Sequence, residues 1–170
     1  MGLGKLHLEL DPARRIRYFE DFPLGETIEL GSHQFTRESI VAFGTAFDPQ
    51  VYHVDPARAR TSIWGGLIAS GWQTASVYMR LLVDNLMGAT ESLGSPGLDS
   101  LKWLRPVREG DTLRARITFL ETTPSRSRPD RGIVRSRGEM VNQDGEVVMQ
   151  LEAINFYGRR PPAGAPPLRD

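Results

Sequence analysis

The segment Phe47-Asp48-Pro49-Gln50-Val51-Tyr52-His53-Val54-Asp55-Pro56 mixes ionisable and apolar residues with no regular period. Asp48 and His53 are five positions apart, too far to share a ligand in an extended chain. A loop folded back at Pro49 brings both side chains to one point. An ordinary carboxylate titrates near ~4 and an ordinary imidazole near ~6.5, so such a pair can hold a water at neutral pH and move its protons. A structural role competes with this: Asp before Pro initiates turns, and a lone histidine is often a satisfied core residue. A second cluster follows, in which Gly65, Gly66, Ala69, Ser70 and Gly71 crowd the start of an apolar stretch. Small residues there let a ligand or another backbone approach closely. The free N–H groups of a helix start attract negative charge and could hold an enolate oxygen. Tight packing against a sheet explains the same residues equally well.

Other chemistries are excluded by what is missing. There is no cysteine, hence no disulfide framework, thiolate nucleophile or cysteine-ligated metal. No Gly-x-Gly-x-x-Gly, Walker-type loop, Gly-x-Ser-x-Gly elbow or His-Glu-x-x-His is present. The three histidines, His7, His33 and His53, are dispersed, so no metal site is assigned. Lys+Arg and Asp+Glu both number 21, which counts against a nucleic-acid binder. With 170 residues, 39% hydrophobic and 25% charged, the chain reads as one globular domain. Met1 to Arg17 holds no apolar core long enough for a signal peptide, and Leu67–Leu86 is interrupted by polar residues, so no membrane span is expected. The expectation is a soluble cytoplasmic protein.

The elements that must position these residues follow from patterning. Thr27–Phe35 has strand character, and Arg37–Phe47 reads as a helix capped by Thr36. Asp48–Asp55 is irregular, Pro56–Thr61 is one helical turn, and Leu67–Met87 is a long helix buried around much of its circumference. The period then becomes two. Leu98–Leu104, Leu113–Phe119, Ile133–Val141 and Val147–Phe156 are strands, the last two joined by a hairpin at Asn142-Gln143-Asp144-Gly145. Residues 122–131 read as a surface loop. The order predicts an α+β fold, an antiparallel sheet around one long helix. Residues 1–16 form an N-terminal extension, 17–157 the domain, and 158–170, with four prolines, an extended tail.

The run Asp48 to Pro56, followed by Gly65-Gly66-Leu67-Ile68-Ala69-Ser70-Gly71, resembles the MaoC-like dehydratases, hotdog-fold relatives of R-specific enoyl-CoA hydratases. Their motif runs Asp-x-Asn-Pro-x-His, then an apolar stretch ending in glycine at the central helix. Asp48, His53 and Gly71 keep that pattern, with Ser70 where many members have His. Pro106-Val107-Arg108-Glu109-Gly110-Asp111-Thr112-Leu113 and Tyr18-Phe19-Glu20-Asp21-Phe22-Pro23-Leu24-Gly25 are also similar to the family's segments. Gln50 replaces the motif's Asn and Val51 its Pro.

The resemblance implies a single hotdog domain and reversible addition of water to a trans-2-enoyl-CoA, giving a 3-hydroxyacyl thioester, as in fatty acid metabolism. It implies Asp48, His53 and the Gly71 N–H as catalytic groups, with Gln50, Tyr52, Ser70 and Trp72 binding substrate. No cofactor is implied, coenzyme A entering only as part of the substrate. The expected partner is a second copy, as a homodimer or a higher assembly of dimers. Arg126, Arg128, Arg131, Arg135 and Arg137 are either a contact for coenzyme A phosphates or a solvated face, the reading preferred here. Trp64, Trp72 and Trp103 line an acyl pocket or, as preferred here, pack in the core. Two alternatives stand beside the hydratase: a hotdog acyl-CoA thioesterase, and a catalytically silent acyl-CoA-binding module.

Overall fold

Leu113, Ala115, Ile117 and Phe119 alternate with polar residues and are all buried, which commits one face of their strand to a core. The computed structural model describes residues 16–162 and gives that face its partner. Five strands, β1 (Thr27–Gln34), β2 (Gly97–Trp103), β3 (Thr112–Pro124), β4 (Arg131–Val141) and β5 (Val147–Gly158), form one antiparallel sheet in the order β1-β3-β4-β5-β2. The first half contributes α1 (Arg37–Phe47) and two single turns, α2 (Val51–Val54) and α3 (Pro56–Ala59), before the long α4 (Gly71–Asn85). Helix α4 lies against the sheet, burying Tyr78 and Leu82 among Ala115, Ile117 and Met140. This is the α+β arrangement that the patterning predicts, in the hotdog form that the resemblance implies.

Small residues of β4 make room for this packing. The Tyr78 ring crosses β4 at Gly138, where a Cβ would stand 2.2 Å from Tyr78 Oη. The Phe19 ring lies as close over Gly132. The β4–β5 turn is the expected hairpin. Gly145 takes φ +82°, and Asn142 Oδ1 accepts from the N–H of Asp144 and Glu146.

Three expectations need correction. The long helix begins at Gly71, not Leu67, because residues 67–70 spend their backbone elsewhere: Ile68 N–H donates to Tyr52 O (3.0 Å) and Ala69 N–H to Val107 O (2.8 Å). The helix is buried on one side only; Trp72 and Met79 stay 60% and 51% exposed because the sheet wraps just one face. The Thr-rich stretch after Leu120 is strand through Pro124, its β-branched residues pairing with Ile133 and Val134 of β4.

At the chain's C-terminal side β5 continues to Gly158. Arg159 and Arg160 then pair with Glu20 and Asp21 of the short 3₁₀ turn Phe19–Asp21. Residues 1–15 and 163–170, which hold most of the expected extension and tail, lie outside the described residues. No helix among the described residues is long and apolar enough to cross a membrane.

Candidate active site

Asp48 stands where α1 ends. It is the C-cap, its N–H donating to Gly44 O (2.9 Å), and its backbone leaves the helical region at φ −149°, ψ 71°. Pro49 cannot continue the helix, and the single turn α2 then swings the chain back. Gly44 permits that return: a Cβ there would meet His53 O at 2.9 Å and His53 Cβ at 3.0 Å. The folded-back loop expected from the sequence is therefore a helix end, a proline and one turn.

The return buries His53, 4% exposed, beside Asp48. His53 Nδ1 lies 2.8 Å from Ile68 O. A carbonyl only accepts, so Nδ1 carries the hydrogen and Nε2 presents a lone pair in the neutral ring. Nε2 is 3.3 Å from Asp48 Oδ2. The extended segment 67–70, whose hydrogen bonding delays the long helix, is also what delivers the Ile68 carbonyl.

The Asp48 carboxylate accepts two hydrogen bonds. Ser70 Oγ donates to Oδ2 (2.8 Å) and Gln50 Nε2 to Oδ1 (2.8 Å). Burial works to raise the Asp48 pKa. The donors Gln50 and Ser70, with the nearby His53, outweigh it and hold the carboxyl below its ordinary value. Tyr52 Oη donates to Gln50 Oε1, and the Tyr52 ring meets His53 edge-on at 4.6 Å.

Ser70 is 1% exposed and stands behind Asp48. It is also the N-cap of α4, accepting from Trp72 N–H (3.2 Å). At Gly71 the absence of a side chain has a second use. Trp103 Nε1 donates to Gly71 O (2.8 Å), and a Cβ on Gly71 would stand 2.5 Å from the Trp103 ring. As a first-turn residue, Gly71 has an N–H with no intrahelical acceptor.

These groups open on one cavity of about 360 Å³. Asp48, Gln50, Tyr52, His53, Gly71 and Trp72 all line it; Ser70 does not. Trp64 and Trp103 line it as well, which corrects their assignment to the core, as does the exposure of Trp72. Arg105, which the sequence reading did not single out, is the only Lys or Arg among the described residues that lines the cavity, and it pairs with Glu146 (3.0 Å). Its signal was its place just before Pro106, where the chain leaves β2 beside the cavity. The arginine cluster lies elsewhere: Arg135 pairs with Asp99, Arg137 with Glu152 and Arg131 with Asp130, and none of the five lines the cavity. A second, apolar cavity of about 310 Å³ lies between α4 and strands β2, β4 and β5, lined by residues such as Met79, Leu82, Leu98 and Leu101. Among the described residues Trp72 is the one lining both. Among the described residues no three potential metal ligands converge.

The model of the MaoC-like domain matches residues 21–137. The chain belongs to the MaoC-like dehydratase family. Among solved structures, the MaoC-like dehydratase from Rhodospirillum rubrum is 42% identical, with a TM-score of 0.78 over 85% of this chain and 99% of that one. The 3-hydroxybutyryl-CoA dehydratase of Methylorubrum extorquens is 28% identical over 141 residues, 82% of this chain and 87% of that protein. The (R)-specific enoyl-CoA hydratase of Rhodospirillum rubrum is 29% identical over 115 residues, 65% of this chain and 75% of that protein. This MaoC-like protein thus shares family and fold with hydratases and dehydratases.

Proposed function

We propose that this MaoC-like protein hydrates a trans-2-enoyl-CoA reversibly, giving a 3-hydroxyacyl-CoA, with Asp48 and His53 sharing one water. The observation that carries this is the pairing of Nε2 and Oδ2 at 3.3 Å. Both atoms are acceptors when His53 is neutral and Asp48 ionised, and adjacent acceptors repel unless hydrogens lie between them. A water offers one hydrogen to each.

In the forward step the water oxygen bonds to Cβ and one O–H bond breaks, its proton passing to His53 Nε2. The π electrons move toward the thioester oxygen, which the Gly71 N–H holds as an enolate. The resulting imidazolium sits beside the Asp48 carboxylate, which stabilises its charge. The enolate collapses as Cα takes a proton from the imidazolium, returning His53 to its neutral form. Water is the only co-reactant this needs. The relatives from M. extorquens and R. rubrum are named for coenzyme A thioesters, which supports such a substrate here.

The protein would work as a homodimer. Among the described residues strand β2 ends the sheet with an unpaired edge, and Trp72, Met79, Leu98, Trp103 and Leu104 beside it are large, apolar and exposed. An open edge flanked by apolar surface is the kind of face a second copy covers.

A hydration assay tests the reading. Purified protein is given trans-2-enoyl-CoAs of several lengths, and loss of the conjugated-thioester absorbance is followed beside free thiol. Hydration that falls at least about a hundredfold in Asp48→Asn and His53→Ala, with the fold retained, is the expected result. Thiol release instead would assign a thioesterase, and binding without turnover a silent module.

A further inference from the structure

Gln50 is exposed, and its two side-chain hydrogen bonds both lead into the active site. The amide could in principle turn either end toward Asp48. A carboxylate only accepts, so the NH₂ must face it and the carbonyl must face away. The Tyr52 hydroxyl fills that second position by donating to Gln50 Oε1. Tyr52 therefore anchors the far end of Gln50 in the orientation that Asp48 selects. In the family motif the position is Asn; the extra methylene of Gln lets one amide reach back to Asp48 and forward to Tyr52.

We propose that Gln50, anchored by Tyr52, is a positioning residue that keeps Asp48 ionised and aimed at the water it shares with His53. Each Asp48 oxygen then has its own donor, Gln50 on Oδ1 and Ser70 on Oδ2. With both oxygens engaged, rotation of the carboxylate would break two bonds, so Oδ2 stays opposite Nε2. Hydrogen bonds to the charged form favour ionisation, so Asp48 remains an anion while His53 carries the proton. The charged and titratable groups facing Asp48 are His53 and, through Gln50, Tyr52, both from α2. Arg105, on the segment after β2, shares the cavity and is paired with Glu146. The start of α4 contributes only the neutral Ser70.

The catalytic consequence rests on the hydratase reading; the state of Asp48 does not. The test is therefore a ¹³C-carboxyl titration of Asp48 by NMR in ligand-free protein, for the parent, Gln50→Ala, Tyr52→Phe and the double variant. Beside it, kcat and KM are measured on a four-carbon trans-2-enoyl-CoA. The Asp48 midpoint should move upward in Gln50→Ala and upward by less in Tyr52→Phe. The double variant should match Gln50→Ala alone, because Tyr52 acts through Gln50. In Gln50→Ala, kcat/KM should fall about tenfold, mostly in kcat, the effect of one hydrogen bond to a charged group. An Asp48 midpoint unmoved in Gln50→Ala overturns the proposal. So does a Tyr52→Phe shift that persists in full without Gln50, which would trace it to the hydroxyl acting on Asp48 by a route other than the amide. If Gln50→Ala fails to fold, Tyr52→Phe carries the test, since it leaves the amide in place and removes its second anchor. Shifted midpoints in a protein that hydrates nothing would sink the hydratase reading and leave this one standing.

Discussion

Ser70→Ala separates two functions that one hydroxyl performs. Ser70 Oγ accepts from Trp72 N–H at the head of α4 and donates to Asp48 Oδ2. Losing a Ser N-cap costs about 1 kcal/mol. A hydrogen bond to a charged group is worth about 1.5–3 kcal/mol when sheltered. The Asp48 side chain is 19% exposed, so water replaces part of the lost bond and about 1 kcal/mol remains. The sum is about 2 kcal/mol, and for a protein of this size each kcal/mol moves Tm by roughly 2–4 °C, so Tm should fall by about 4–8 °C. The assay is thermal unfolding at one fixed protomer concentration, repeated in an Asp48→Ala background. There the Ser70→Ala cost should shrink to the cap alone, leaving a coupling of about 1 kcal/mol. Activity should fall about tenfold in the single variant, through kcat, as Asp48 loses its Oδ2 donor. Equal Tm losses in both backgrounds would refute the link between Ser70 and Asp48. No loss in either would refute the cap as well.

Two further predictions concern the walls and the core. Trp72 lines both the cavity at Asp48 and His53 and the apolar one, so if its indole is the partition between them Trp72→Ala should raise kcat/KM for an eight-carbon enoyl-CoA relative to a four-carbon one by about tenfold; an unchanged ratio would show that the indole is no partition. Gly138→Ala should cost about 2–3 kcal/mol in urea unfolding, because its Cβ would stand 2.2 Å from the buried Tyr78 Oη. Tyr78 Oη has no hydrogen-bond partner among the described residues, so Tyr78→Phe alone should be neutral or stabilising and should recover part of the Gly138→Ala loss.

The strands were legible because their determinant is local. Alternation at Leu113–Phe119 and the turn chemistry of Asn142–Gly145 need no distant partner to be read, and both hold in the structure. The Thr36 cap of α1 is local too. The start of α4 was not legible. Residues 67–70 are as apolar as the helix that follows, and only hydrogen bonds to Tyr52 and Val107, far off in sequence, keep them extended. The three tryptophans misled for a related reason. Large aromatics favour the core unless the sheet leaves a helix face uncovered, and coverage belongs to topology rather than to any one residue.

The candidate site divides along the same line. Asp48, Pro49, His53 and Gly71 could be picked out by type and spacing, because proline, acid, imidazole and glycine each carry a distinct backbone or proton chemistry. Their arrangement could not. The His53 tautomer depends on Ile68 O, the Asp48 charge on Gln50 and Ser70, and the cavity on Trp103 and Arg105 arriving from beyond the helix. Residue types determine which protons can move. Only the tertiary structure decides which acceptor each donor meets, because a hydrogen bond forms over about 3 Å in space, whatever the separation along the chain.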